Sequence, residues 1–173
     1  MQRKTGGTLL ILFALFLCLG AGKTMRQVRS HLRTTIDTVK EKKALMDLIE
    51  KENVAFYNKD LPQVSECWSH SSYIRHMGWW KRGGIRVVSG WDSLHTNFQE
   101  LFAKNPAQNQ QKTVRKNFNF RIADNMAWCT FDEYGQDNKE PDMDLPGLIR
   151  NTRIFEKQNG EWKIVYVGFL LNG

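Results

Sequence analysis

The hydrophobic period of this chain changes once, from 3.6 residues to 2, and that change restricts the fold more than any other feature. Up to Asn105-Pro106 the apolar residues recur mainly at helical spacing. In ALMDLIEKENVAFYNKD, the residues Leu45, Leu48, Ile49, Val54, Ala55 and Phe56 fall roughly on one helical stripe. Asp60-Leu61-Pro62 breaks that helix and restarts a short one through Cys67 and Trp68, since proline suits a first helical turn. Leu94, Phe98, Leu101 and Phe102 mark a third helix, which Asn105-Pro106 stops. Between the second and third, SYIRHMGWW and IRVVSG read as short strands around a Gly83-Gly84 turn. From Thr113 the pattern alternates, with Val114, Lys116, Phe118, Phe120 and Ile122 separated by polar positions. Asp124-Asn125 turns into MAWCTFDEYG, a polar loop QDNKEPDMDLPG leads to LIRNTRIFEK, and Asn159-Gly160 gives a tight hairpin into EWKIVYVGFLL. Three helices with a hairpin among them, then long antiparallel strands, predict an α+β domain with its helices on one face of the sheet.

The opening residues read differently. Arg3 and Lys4 precede an apolar run, LLILFALFLCL, and then Gly20, Ala21 and Gly22. A basic start, a short apolar stretch and small residues are the parts of a signal peptide. The run falls short of the ~20 apolar residues that span a bilayer comfortably. The expected division is a signal peptide over 1–22, a basic helical connector over 23–43 and a domain over 44–173, giving an exported protein, periplasmic or secreted. Retention of the leader as an anchor is the alternative. A lipoprotein would carry lipid on Cys18, although Leu17 is bulky where a small residue is expected.

The net charge of +7 is confined to this opening region. Residues 1–43 hold nine Lys/Arg and two acids, whereas the other 130 hold sixteen of each sign. A neutral domain lacks the basic surface that dominates affinity for phosphate backbones, so no nucleic-acid partner is expected. The stretch from Lys23 to Lys43 is a solvated helix face or lies near anionic headgroups. Membrane contact is expected only through the leader or a lipid at Cys18. Cys67 and Cys129 could pair in an exported protein, but each sits in an apolar pattern that suits a buried free thiol.

Particular segments carry a resemblance: AFYNKDLPQVSECW, GWDSL, MAWCTFDEY and, above all, NTRIFEKQNGEWKIVYV. Over about residues 42–172 the chain resembles the nuclear transport factor 2-like (SnoaL-like) superfamily. The closing strands are similar to those of the calcium/calmodulin-dependent kinase II association domain, and the loop PDMDLPG resembles that of small exported SnoaL-like proteins. The resemblance implies a cone-shaped α+β domain, three N-terminal helices packed on a curved antiparallel sheet around a pocket. It also implies pairing of two copies through their sheets, hence a homodimer. The superfamily holds isomerases, dehydratases and hydrolases beside non-catalytic modules, so function rests on the pocket.

Strand parity sorts the candidates for that pocket. Trp128, Thr130, Asp132 and Tyr134 share one face of their strand, and Ala127, Cys129, Phe131 and Glu133 share the other. Similarity to the association domain puts the first set in the pocket, with Thr130 where that domain carries an arginine, and places Arg153 there too. Asp132 with Arg153 would then be an acid/base and anion-anchoring pair, or else an ion pair bracing two strands. Arg75 and His76 should point to opposite faces, and either can supply the next polar group, His76 as a base. Tyr73, Trp68, Trp79 and Tyr166 complete the expected aromatic lining, and one of Trp79 and Trp80 should sit at the pocket mouth or an interface. No histidine pair has metal-ligand spacing, Pro141 and Pro146 interrupt the acidic loop, and no glycine loop cradles phosphate, so no metal or cofactor is expected. The reading is an exported domain binding a small, partly apolar ligand. The alternatives are a SnoaL-like enzyme using Asp132 or His76 for proton transfer, and a dimerisation module whose pocket is self-filled.

Overall fold

The structure is a computed structural model that describes residues 38–80, 83–108, 112–135 and 147–172. The leader, Cys18, most of the basic connector and the acidic loop through Asp137, Glu140, Asp142 and Asp144 lie outside the described residues. Lys42–Gly173 is one compact unit. Helical residues run from 38 to 58 (α1), followed by α2 (Leu61–Cys67), β1 (Arg75–Trp80), β2 (Gly84–Ser89), α3 (Trp91–Lys104), β3 (Thr113–Ile122), β4 (Met126–Gly135), β5 (Leu148–Gln158) and β6 (Glu161–Asn172). Three helices pack on one six-stranded sheet, in the order β2-β1-β6-β5-β4-β3. The sheet is mixed rather than wholly antiparallel. The short hairpin returns beside the last strand, so β1 lies parallel to β6 while every other pairing is antiparallel.

The local signals act as elementary rules predict. Asp60 caps α2, its carboxylate accepting from the Gln63 amide at 3.0 Å, with a proline in the first turn. Asn159 and Gly160 both take positive φ, 52° and 86°, the two-residue turn whose twist suits a β-hairpin. Leu45, Ile49 and Ala55 from α1, Val64 and Cys67 from α2, and Leu94, Phe98 and Phe102 from α3 bury themselves against one sheet face. That face presents Ala127, Cys129, Phe131, Phe155, Ile164 and Val167. Val54, expected on the apolar stripe, is instead exposed, because the stripe runs through Leu45, Ile49, Glu52 and Phe56. Cys67 and Cys129 are both buried free thiols, and burial pushes each up to about 12.

Two irregularities decide which side chains share a face. In β3 the register shifts between Lys116 and Asn119, where Asn117 adopts φ 58°. This bulge leaves Val114 and Lys116 opposite Tyr134 and Asp132, and turns Phe118 and Phe120 onto the helix side, where Phe118 stacks on Phe131 at 4.9 Å. The five alternating residues of β3 therefore do not lie on one face. In β6, Ile154 pairs with Tyr166 and Phe155 with Ile164, so Val165 is the extra residue. Ile164 and Val167 both reach the core as a result, and Tyr166 faces away from it. Gly78 lies under the Phe169 ring, which a Cβ there would meet at 2.0 Å.

Candidate functional site

A cavity of about 270 Å³ opens between α1, α3 and the helix-facing side of the sheet. α1 contributes Glu52, Asn53, Phe56 and Tyr57, since residues three and four apart stand on one helix face. α3 adds Asn97, Phe98 and Leu101, and the hairpin adds His76 and Arg86. Glu133 of β4, Ile149, Asn151 and Arg153 of β5, and Val167 and Phe169 of β6 complete the lining. Register explains the company they keep. Asn151 pairs with Phe131 and Phe169, and Arg153 pairs with Cys129 and Val167, so all project to one side.

The charges inside are unequally satisfied. Arg115 Nε donates to Glu133 Oε2 at 2.6 Å, both side chains are under 10% exposed, and its Nη1 also reaches Glu50. That pair is tight. Arg153 Nη2 stands 3.8 Å from Glu52 Oε2, an ion pair too long for a hydrogen bond. Arg153 Nε and Nη1 and Asn151 Nδ2 on the cavity wall, and Arg115 Nη2 and Trp68 Nε1 behind it, are buried with no hydrogen-bond partner among the described residues. The Arg153 guanidinium instead lies 5.9 Å from the centre of the Phe131 ring.

Burial raises the pKa of Glu52 above the ordinary carboxylate value, and nearby Glu133 adds to this while Arg153, Trp68 and Arg115 oppose it. His76 is lowered to about 4, first by burial and then by Arg153 and Arg86, so its imidazole is neutral at pH 7. Burial likewise raises the Tyr57 phenol. The cavity thus offers buried donors beside an apolar wall of Phe56, Phe98 and Phe169. An oxyanion attached to an apolar body satisfies both halves.

Of the residues expected from the sequence, His76 and Arg153 line this cavity. Trp68 is buried just behind it, against His76 and Phe98. Asp132 does not join Arg153. It projects from the other face of the sheet, where Arg150 donates to it at 3.2 Å and Asn117 at 2.8 Å. Trp128, Thr130 and Tyr134 share its parity and stand away from the cavity with it. The physical reason is the apolar series Ala127, Cys129 and Phe131, whose burial fixes the inner parity and carries Glu133 inward. Arg75 and Trp79 alternate with His76 and Gly78 and point outward, and the β6 bulge turns Tyr166 outward, its hydroxyl 3.6 Å from Met77 Sδ. Tyr73 is exposed and donates to Glu156 at 2.5 Å. His70 stacks on Trp91 at 4.1 Å, and His95 packs on the same ring. Among the described residues, no group of His, Cys, Asp and Glu is placed to hold a metal ion.

The fold can be compared with solved structures. A provisionally assigned dehydratase of the nuclear transport factor 2-like family from Streptomyces avermitilis superimposes with a TM-score of 0.59 at 13% identity, covering 78% of this chain and 97% of that one. An NTF-2 like protein of unknown function from Shewanella oneidensis matches with a TM-score of 0.54 at 14% identity, over 75% of this chain and 98% of that one. The chain has the nuclear transport factor 2-like fold. A provisionally assigned calcium/calmodulin-dependent protein kinase type II association domain from Thiobacillus denitrificans shares it too, with a TM-score of 0.55 at 13% identity over 72% of this chain and 91% of that one. No protein-family model matches the sequence. No curated protein sequence matches it either.

In this nuclear transport factor 2-like domain, sequence reasoning missed Glu52, Glu133, Arg115 and Asn151. Signals for three of them were present. Glu52 falls three residues after Ile49 and four before Phe56, within the apolar stripe. Glu133 continues the parity of Cys129 and Phe131, and Asn151 shares the parity of Arg153. Arg115 had no such signal, because its inward placement depends on the β3 bulge.

Proposed function

We propose that this domain binds a small ligand bearing one anionic group on an apolar body, held in the cavity by Arg153 and Asn151. The observation that carries the reading is the set of three buried donors, Arg153 Nε and Nη1 and Asn151 Nδ2, left without partners on the wall of an aromatic cavity. Leaving such groups unsatisfied costs about 1–3 kcal/mol each, more for charged ones, and a bound oxyanion removes that cost. Thermal melts of the purified domain with ring-bearing monocarboxylates, amines and neutral amides test it. Carboxylates should raise the Tm selectively; stabilisation by amines alone would contradict the assignment.

An enzymatic reading is favoured by one observation. Glu52 is a buried carboxyl with a raised pKa, in the cavity and beside Arg153, which suits proton transfer. Solved neighbours described provisionally as a dehydratase and a ketosteroid isomerase are consistent with such chemistry on this fold. In this reading Glu52 takes the role first assigned to Asp132, while His76, held neutral, orients or accepts a hydrogen bond. Loss of turnover in Glu52→Gln with ligand binding retained is the expected result.

Export and self-association complete the proposal. The basic, apolar and small segments of residues 1–22 support export. N-terminal sequencing of protein recovered from cells should show the leader removed, and an intact Met1 on a cytoplasmic product would sink the idea. The outer face of the sheet supports a homodimer, because Trp79, Ile85 and Leu170 are exposed cross-strand neighbours there. Light scattering at micromolar concentration should give about twice the chain mass, and a monomer would contradict it.

A further inference from the structure

We propose that Glu52 takes up a proton when the ligand binds, so that the site accepts a monocarboxylic acid as anion plus proton. The inference rests on the anion-binding reading above. Its geometric basis is the unequal satisfaction of the two buried carboxylates. Glu133 is already held by Arg115 at 2.6 Å, so the tight pair leaves it no need of another cation. Glu52 has no such tight ion pair: Arg153 Nη2 approaches only to 3.8 Å, and Trp68 and Arg115 add weaker support. A ligand carboxylate that grips the Arg153 guanidinium with both oxygens, side-on at Nε and Nη2 or end-on at Nη1 and Nη2, competes with Glu52 for Nη2. Two carboxylates would then share one arginine in a buried space, and like charges at that range disfavour joint ionisation.

The proton comes from solvent and adds to one Glu52 carboxyl oxygen. Glu52 changes from acceptor to neutral donor, and its hydroxyl can then donate to the ligand carboxylate. No bond to carbon is made or broken. The surroundings favour this. Around Glu52 stand Arg153 on β5, Glu133 on β4, Arg115 on β3 and the Cys67 thiol on α2. Elsewhere on the wall, Arg153 and Arg86 of β2 both act on His76 of β1, and Tyr57 of α1 lies near Glu133. α3 and β6 supply only amide and apolar side chains to the lining. Burial already biases Glu52 toward its protonated form, and His76 is lowered to about 4, which makes it the poorer acceptor near neutrality. Arg115 already serves Glu133 and Glu50, so Arg153 is the buried cation that Glu52 and the ligand carboxylate share, with Arg86 exposed at the edge of the wall.

Titration calorimetry of the domain with phenylacetate, in buffers of different ionisation enthalpy between about pH 5 and 9, tests this. Once the pH exceeds the pKa of free Glu52, close to one proton should enter per phenylacetate bound. Affinity should then fall by up to about tenfold per pH unit. In Glu52→Gln the proton uptake and the pH slope should both disappear. The uptake measurement on the parent needs no variant, so a poorly folded Glu52→Gln protein does not remove the test. Binding of phenylacetate without proton uptake at any pH, or a slope that survives Glu52→Gln and vanishes in His76→Asn, would overturn the role of Glu52 while keeping the anion site. No binding by the parent at any pH would overturn both.

Discussion

The two faces of the sheet carry the same kinds of charged residue and use them differently. On the outer face, Asp132 meets Arg150 at 3.2 Å with side chains 21% and 41% exposed, and Asn117 adds a hydrogen bond. Water screens that pair, and either partner can be solvated without the other. On the helix face, the side chains of Arg115 and Glu133 are 9% and 8% exposed, and those of Arg153 and Glu52 are 9% and 10%. There each charge depends on its neighbour, because the alternative is a bare ion out of water. An Asp–Arg motif read along a strand is therefore no guide to a site until its face is known. Burial separates a structural surface pair from a cavity that has unmet donors.

The sharpest break of this comparison is Arg115→Met. It strips the cation from Glu133 beside buried Glu52, and the expected loss is about 3–5 kcal/mol in denaturant melts near neutral pH. A change under about 1 kcal/mol would mean that the inner face is as solvated as the outer one.

His76 gives the next effect and a defined pH window. Its folded pKa, about 4, lies below the unfolded value of 6.5. Its contribution is thus complete above pH 6.5 and is lost as the pH falls toward 4, because the unfolded chain binds the proton first. With some solvent reaching the ring through the cavity, about 2 kcal/mol is expected. Glu52 tilts the other way: its raised pKa gives a contribution that weakens as pH rises through that value. The difference between parent and His76→Asn profiles isolates the histidine. An acid-side difference of zero would place His76 in water.

Gly78→Ala probes the close approach of Phe169. A Cβ would meet that ring at 2.0 Å, and the ring, a cavity wall, must rotate to make room. A loss of about 1–2 kcal/mol is expected, with weaker ligand binding, because displacing a ring end is cheaper than displacing backbone. The smallest effect belongs to the outer face. Arg150→Met should cost about 0–1 kcal/mol.

Much of the architecture was legible because it rests on local rules. The helical stripes, the Asp60-Leu61-Pro62 restart and the Asn159-Gly160 turn each act over a few residues. The parallel alignment of β1 with β6 was not, since it joins segments some 90 residues apart. The site was legible in Arg153 and His76 and misread at Asp132. There the family likeness points Asp132 inward, whereas Ala127, Cys129 and Phe131 mark the inner face. Tyr166 and Arg115 depended on bulges in β6 and β3, and a single extra residue inverts every side chain beyond it. Glu52 was hidden by its own charge, because a carboxylate inside an apolar stripe does not mark a buried position.

Phenylacetate binding measured by calorimetry at about pH 6 on the parent, Arg153→Met and Asp132→Asn tests the assignment of the site to the inner face most directly. Removing the charged donor should weaken binding by about ten- to a hundredfold, the worth of a hydrogen bond to an ionised group. Asp132→Asn should bind as the parent does. Affinity lost in Asp132→Asn and kept in Arg153→Met would place the site on the outer face and contradict the account.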